Sequence, residues 1–442
     1  MSQQVLPNSI NYNESLPSLL PGTQNLTQVL QPVNGSIFTQ NQQIFVDIPS
    51  RGFIDPQSIY IRYKATFLGT ATAVSAAQGV IGCPLYAPFS RVDTMINSQL
   101  IDTVADYNVV AHQWTNLFLG VNEKYGNQFG LGYLDSTSTV VTLDELDGRD
   151  MTGLTTTAMS YFVSGPLVCT KLTGCEKFIP AFATGGIRLM FTIDMLQNFI
   201  TSQMNTAIAA SATPFTITNF ELVYDLIDFG PEVEASILAQ PSIMIKTNGY
   251  NNSSVTLAAG ANGSTTLVYN QRLASIRSAI VQPSGSVPGT NYFNGKFDSV
   301  DVTSGGYYSL NIGGVTYPQG GPLSFGLNKA GILSELRKAT GNLYDWSKSM
   351  AINSVEFNYV DNPNPTTQMT QPGKCYIGFD LNKINSASKN MLNGTSSQNA
   401  PINVVLNIAG SGVVSAKNVY LVLNYDAILT IDPRTKMISV NQ

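Results

Sequence analysis
The chain has 442 residues, more than one core of ordinary size holds and enough for two domains of about 200 residues. Its formal net charge is −5 with no run of Lys or Arg, which excludes the electrostatic footprint of a nucleic-acid binder. Charged residues are only 12% of the sequence, roughly half the ~25% of an average soluble domain, and the amide and hydroxyl side chains that replace them suit broad protein–protein contacts, where charge is costly to desolvate.

The N-terminus MSQQVLPNSINYNE has neither a basic n-region nor an apolar h-region, so no signal peptide is expected. No stretch approaches the ~20 apolar residues of a membrane span. Residues 1–36 carry Pro7, Pro17, Pro21 and Pro32 with no hydrophobic period. They predict an extended arm that either docks through Leu16, Leu19, Leu20, Leu26 and Leu30 or trails as a disordered tail. Strands begin at Ile37. Ile44–Ile48 precedes a turn at Pro49–Gly52. Ile59–Phe67 then alternates, with Ile59, Ile61, Tyr63, Ala65 and Phe67 inward and Arg62, Lys64 and Thr66 outward, the period of a half-buried antiparallel strand. Arg91–Val104 reads as a strand turning near Asn97-Ser98. Val109, Val110, Trp114 and Leu117 predict a short helix within Asp106–Phe118. Residues 119–160 read as a long loop with one short strand near Val140. Phe178–Phe182 and Ile187–Ile193 are predicted strands, Asp194–Ala212 a helix through Leu196, Phe199, Ile200 and Met204, and Thr216–Phe229 the strand closing the first half.

In the second half, Ser254–Leu257, Thr265–Tyr269 and Leu273–Gln282 are predicted strands and 283–325 a second long loop. Ala330–Ala339 reads as a helix stopped by Gly341. Val355–Tyr359, Cys375–Leu381, Ile402–Ile408 and Val419–Leu429 are strands. Two of these repeat earlier ones in the same order. Asn418–Asn424 (NVYLVLN) aligns with Asn219–Asp225 (NFELVYD), and Ile402, Val404, Leu406 and Ile408 mirror Ile187, Leu189, Phe191 and Ile193. About eight short strands per half predict an all-β fold: two tandem eight-stranded antiparallel jelly rolls with short helices in the connections. The expected divisions are an arm 1–36, a first jelly roll 37–234 and a second jelly roll 235–442.

No pattern carries catalysis, and no catalytic, cofactor-binding or metal residue is assigned. The one histidine, His112, lies in the predicted helix with no Ser/Asp set in view, and reads as a packed or surface residue. Asp144–Asp150 (DELDGRD) lacks the alternating ligands and closing Glu of a Ca²⁺ loop and reads as a solvated turn. Gly305-Gly306 and Gly320-Gly321 lack the lysine and the strand–helix setting of a phosphate loop. Arg272 and Arg277 are expected on a strand, paired with carboxylates. Cys83, Cys169, Cys175 and Cys375 form no CxxC pair and read as buried free thiols in a reducing compartment. Sequons at Asn25, Asn262 and Asn393 are expected by chance in so Asn-, Ser- and Thr-rich a chain. Tyr292-Phe293 and Tyr307-Tyr308 are either exposed contact aromatics or fold back on their own loop.

Phe53–Phe67, Arg91–Phe118, Thr265–Val281 and the ending Val419–Val440 (VYLVLNYDAILTIDPRTKMISV) resemble, in layout rather than in any short motif, the double jelly-roll major capsid proteins. That lineage joins tailless membrane-containing phages, adenoviruses, virophages, polinton-like viruses and large DNA viruses of eukaryotes. The N-terminal pattern of algal giant-virus capsid proteins is missing, which sets virophage-like and polinton-like members nearer. The resemblance implies a structural protein of the virion, made in the host cytoplasm or nucleus. It implies a homotrimer forming pseudo-hexagonal capsomers of an icosahedral shell. Neighbouring capsomers, penton and minor capsid proteins and an internal membrane would be its partners, with no sequence-specific contact to nucleic acid. Loops 119–160 and 283–325 would build towers and inter-subunit contacts, and the arm would reach neighbouring capsomers or the membrane. The alternatives are a β-sandwich glycan-binding or adhesin module, which predicts a secretion signal, a carbohydrate-active enzyme, which needs paired acids in a cleft, and a phage tail or spike protein, which predicts shorter repeats.

Overall fold
The computed structural model describes residues 23–67, 79–133, 149–150, 159–202, 215–284, 296–343, 349–352, 357, 373–384, 392–410, 412–413 and 416–442. Its principal strands fall into two successive sets of eight. The first is β1 Gln24–Leu30, β2 Gln43–Ile48, β3 Tyr60–Phe67, β4 Phe89–Ile96, β5 Gln99–Ala105, β6 Met159–Pro166, β7 Ile187–Ile193 and β8 Phe215–Asp228. The second is β9 Ile243–Leu257, β10 Gly263–Tyr269, β11 Ile276–Pro283, β12 Tyr307–Ile312, β13 Val315–Tyr317, β14 Ile377–Asp380, β15 Ile402–Ile408 and β16 Lys417–Ile431. In the first set, sheet β6-β3-β8-β1 packs on sheet β2-β7-β4-β5. In the second, β14-β11-β16-β9 packs on β10-β15-β12-β13. Each strand has its counterpart eight places on, so one antiparallel jelly roll is built twice.

Strand periodicity supplies the cores. β7 buries Ile187, Leu189, Phe191 and Ile193, and β15 buries Ile402, Val404, Leu406 and Ile408. In the first roll Phe191 meets Phe220 at 5.1 Å and Tyr63 meets Phe89 at 5.5 Å between ring centroids. The repeated stretches Asn219–Asp225 and Asn418–Asn424 belong to β8 and β16, which hold the same inner position in their sheets. Among the described residues five α-helices fill connections: α1 Tyr107–Phe118, α2 Val121–Gly126, α3 Gln128–Leu131, α4 Pro231–Leu238 and α5 Lys329–Ala339. α1 and α5 lie where the apolar spacing placed them. Asn328 caps α5 by accepting from the Gly331 amide at 2.7 Å.

Several expectations are corrected. Gln24–Leu30 is not part of an arm: it is β1, paired with β8 from Gln24↔Asp228 to Leu30↔Leu222. Its Leu26 and Leu30 pack on the core while its other side stays wet, so a mostly polar sequence forms a strand. Asp194–Ala212 is not a helix where it is described. Leu196–Asn198 is one 3₁₀ turn and Ile200–Ser202 a strand paired with Gly79–Ile81. The Asp194 carboxylate accepts from the Met195 amide and Asn198 Nδ2, side-chain bonds that compete with helix; residues 203–214 lie outside the described residues. Region 119–160 holds α2, α3, a strand Arg149–Asp150 and the start of β6, and the expected strand near Val140 lies outside the described residues. Region 283–325 holds β12, β13 and a short strand Leu323–Ser324. Ser254–Leu257 is the end of the 15-residue β9. Phe178–Phe182 shortens to a strand Ile179–Pro180 and a 3₁₀ turn Ala181–Ala183. Val355–Tyr359 lies outside the described residues except Phe357, which is helical and buried.

Candidate assembly surfaces
The exposed helix α4 leads from β8 to β9, and roll two then lays the outward face of its sheet β14-β11-β16-β9 against roll one. Strand register puts Tyr250, Asn252, Gln282, Tyr420 and Val422 on that face. Tyr420 and Val422 join the hydrophobic cluster of roll one, and Tyr250 packs against it. Opposite them lie the end of β5 and α1. Asn252 Nδ2 stands 3.4 Å from Asp106 Oδ2, Gln113 Nε2 donates to Gln282 Oε1 at 3.4 Å, and Asn116 Nδ2 donates to Tyr376 Oη at 3.1 Å. This packing explains why α1 is buried on nearly every side.

Charge is also built into the seam. Buried Lys171 of roll one has Nζ 3.4 Å from Asp102 Oδ1 and donates to Gln442 Oε1 of roll two at 2.6 Å. Its carbonyl accepts from Thr247 Oγ1 at 2.5 Å. Nearby, the Asn248 amide donates to the Gly174 carbonyl at 3.2 Å, and a Cβ on Gly174 would fall 2.2 Å from the Asn248 oxygen, so only glycine allows this approach. Lys296 of roll two reaches Asp194 at 2.7 Å and Asp106 at 3.8 Å. Burial raises the carboxyl pKa values of Asp102 and Asp106, with Lys171 and Lys296 opposing the shift. Such pairs add little net stability, yet losing one partner strands a buried charge.

The residues singled out in the sequence do not converge. His112 is a seam residue: Nε2 lies 3.1 Å from Asn116 Nδ2 and the ring 5.3 Å from Phe297 of roll two. Arg277 stands 3.9 Å from the Asp426 carboxylate, as expected. Arg272 instead lies off any strand and donates to the Ser397 and Gln398 carbonyls at 3.4 and 3.3 Å. All four cysteines are buried and free, and burial pushes the Cys175 thiol up to about 12. Tyr308 is no contact aromatic. It is buried in roll two, donates to Asp301 Oδ1 at 2.9 Å and accepts from the Val302 amide at 3.1 Å. Tyr292-Phe293 and Asp144–Gly148 lie outside the described residues. Among the described residues no group of three His, Cys, Asp or Glu is placed to hold a metal.

The outward faces of the other sheets carry exposed side chains. On roll one, register aligns Ser164, Arg62 and Glu221 in one row and Phe162, Lys64 and Thr218 in the next. Arg62 pairs with Glu221, and Lys64 Nζ sits 5.4 Å from the Phe162 ring. Phe162 is 65% exposed and Phe129 60%; with Pro32 and Gly130 they frame a groove of about 890 Å³. Sequence reasoning missed both phenylalanines: Phe162 sits between the apolar Tyr161 and Val163, and Phe129 stands alone beside Gln128 and Gly130, so neither pattern marks an outward-facing aromatic. Among the described residues the outward face of β10-β15-β12-β13 carries no charge: Thr266 and Val268 beside Val405 and Asn403, then Ser309 and Asn311. The matching face of roll one is laced with ions instead, Asp47–Arg188 at 2.6 Å and Arg91–Asp93 at 2.8 Å.

This fold is shared with proteins of viral capsids. The Faustovirus major capsid protein covers 97% of this chain and 93% of its own length at 10% identity and a TM-score of 0.57. The mavirus major capsid protein covers 100% and 96% at 11% identity and a TM-score of 0.53. A chain of the Sputnik virophage structure covers 100% and 93% at 13% identity and a TM-score of 0.57. No protein-family model and no curated protein matches the sequence. At these identities the likeness establishes the fold, and the chain is a double jelly roll of the kind those capsid proteins have.

Proposed function
We propose that the chain is the major capsid protein of an icosahedral virus and acts as a structural protein of the virion. The observation that carries this reading is the match of the doubled jelly roll over 97% and 100% of the chain to the major capsid proteins of Faustovirus and mavirus. Three copies form a homotrimer in which six rolls give a six-sided capsomer. Neighbouring capsomers, penton and minor capsid proteins are its partners, and the division between the rolls falls in α4. The physics of the surfaces supports this. A shell subunit must pack on every flank, and a rigid pair of sandwiches with few surface charges does so at low desolvation cost. Each contact can be weak because many act together in a closed shell. Ordered sheets also lose little freedom on association. Light scattering on the purified protein is expected to give three times 47.6 kDa, with a hexagonal outline in negative stain. A stable monomer retained on a glycan column would overturn the reading in favour of an adhesin-type module.

A further inference from the structure
Lys124 of α2 is only 1% exposed, and its Nζ donates to Asn116 Oδ1 of α1 at 2.5 Å. Asn116 is itself fully buried. The other end of its carboxamide is held twice. Nδ2 donates to His112 Nε2, one helical turn back, and to Tyr376 Oη, just ahead of β14 in roll two, both at 3.1 Å. Backbone groups fix the same turn of α1 under roll two. The Ala351 amide donates to the Asn116 carbonyl at 3.0 Å, and Asn342 Nδ2 donates to the Leu117 carbonyl at 3.2 Å. A buried lysine amine thus faces a buried primary amide whose two ends are both clamped.

We propose that Lys124 and Asn116 join through an isopeptide bond, made by the chain itself once its two rolls have met. The neutral amine of Lys124 attacks Asn116 Cγ. The Nζ–Cγ bond forms, the Cγ–Nδ2 bond breaks, and Nδ2 leaves as ammonia. His112 Nε2 accepts a hydrogen bond from Nδ2, so its lone pair can take the proton that Nζ loses and return it to Nδ2 as the Cγ–Nδ2 bond breaks. A lysine amine and a primary amide give a secondary amide and ammonia, so atoms and charge balance with no oxidant and no co-substrate.

The geometry suits this step. A C=O bond is about 1.2 Å long, so an Nζ placed 2.5 Å from Oδ1 is within about 3.7 Å of Cγ, close to the ~3–3.5 Å of an attacking pair. Burial keeps out the water that would otherwise hydrolyse the amide. His112, Asn116 and Lys124 belong to roll one and Tyr376 to roll two, so the carboxamide is fully held only after the rolls join. The product closes residues 116–124 into a ring beneath roll two and ties α2 to α1. The bond forms within one chain, so it stands or falls independently of the homotrimer.

The test denatures the full-length protein, cuts it after glutamate and weighs the peptides by mass spectrometry. Cleavage after Glu123 is expected to leave the peptides that hold Asn116 and Lys124 joined, at a combined mass lower by one ammonia. Lys124→Arg keeps the positive charge but lacks the alkyl amine, and is expected to give two separate peptides with no ammonia lost. His112→Gln is expected to slow the loss of ammonia on refolding by roughly 10²-fold. Wild-type peptides that separate at their sequence masses overturn the inference, and so does an Asn116 converted to aspartate, which marks attack by water instead of Lys124. An unslowed His112→Gln protein overturns the role given to His112. If either variant fails to fold, the wild-type peptides decide.

Discussion

Asp194 Oδ2 and Lys296 Nζ lie 2.7 Å apart and tie the first roll to the second, with side chains only 8% and 5% exposed. Asn108 Nδ2 donates to the same carboxylate oxygen at 2.9 Å. Asp194 directly follows β7 and is held by the Met195 amide and Asn198 Nδ2, where apolar spacing predicts a helix.

Removing one partner of this pair is expected to be expensive. Asp194→Ala leaves the Lys296 ammonium buried, and stability should fall by about 3–5 kcal/mol, read as a lower denaturant midpoint. The double variant Asp194→Leu with Lys296→Met removes both charges and should be clearly more stable than the single one. Equal midpoints for wild type and Asp194→Ala would show that the pair does not hold the seam.

Two carboxylates should respond to pH with opposite sign. Burial raises the Asp102 pKa against the opposing charge of Lys171, so folding favours its protonated form. Its contribution to stability is present below the unfolded-state pKa and is lost as pH rises through the folded-state value. The hydrogen bond from Arg188 lowers the Asp47 pKa, so the contribution of Asp47 is present above the unfolded-state pKa and is lost as pH falls through the folded-state value. Asp47 is 41% exposed, so its effect on stability is small. Carboxyl NMR titration should place the Asp102 midpoint above 3.8 and that of Asp47 below it.

Gly174→Ala forces a methyl group against the Asn248 carbonyl, which belongs to the other roll. Separating the two backbones is expected to cost about 1–3 kcal/mol, seen as a lower melting temperature. Gly320→Ala adds a methyl group with nothing within 4 Å of it and should melt close to wild type. Equal melting of all three proteins would mean that the rolls do not approach this closely in solution.

Tyr308→Phe leaves the Val302 amide without its acceptor and takes one donor from Asp301. The expected loss is about 1–3 kcal/mol in folding, with the scattering mass unchanged. A change in assembly without a change in folding stability would restore the contact role that its place in a Gly- and Tyr-rich stretch had suggested.

The sequence alone determined the repeated strands, the doubled jelly roll and helices α1 and α5. Alternation and helical spacing are local signals, set by neighbours two to four residues away. Polarity hid β1, because an edge strand half open to water needs few apolar residues. Asp194 turned the chain away from helix through hydrogen bonds that spacing does not register. Only the tertiary structure decided which faces are covered. Val422 and Phe162 both point outward from their sheets, yet Val422 is buried under the other roll and Phe162 is open. That difference comes from how two whole rolls meet as solids, a relation that no short stretch of sequence encodes.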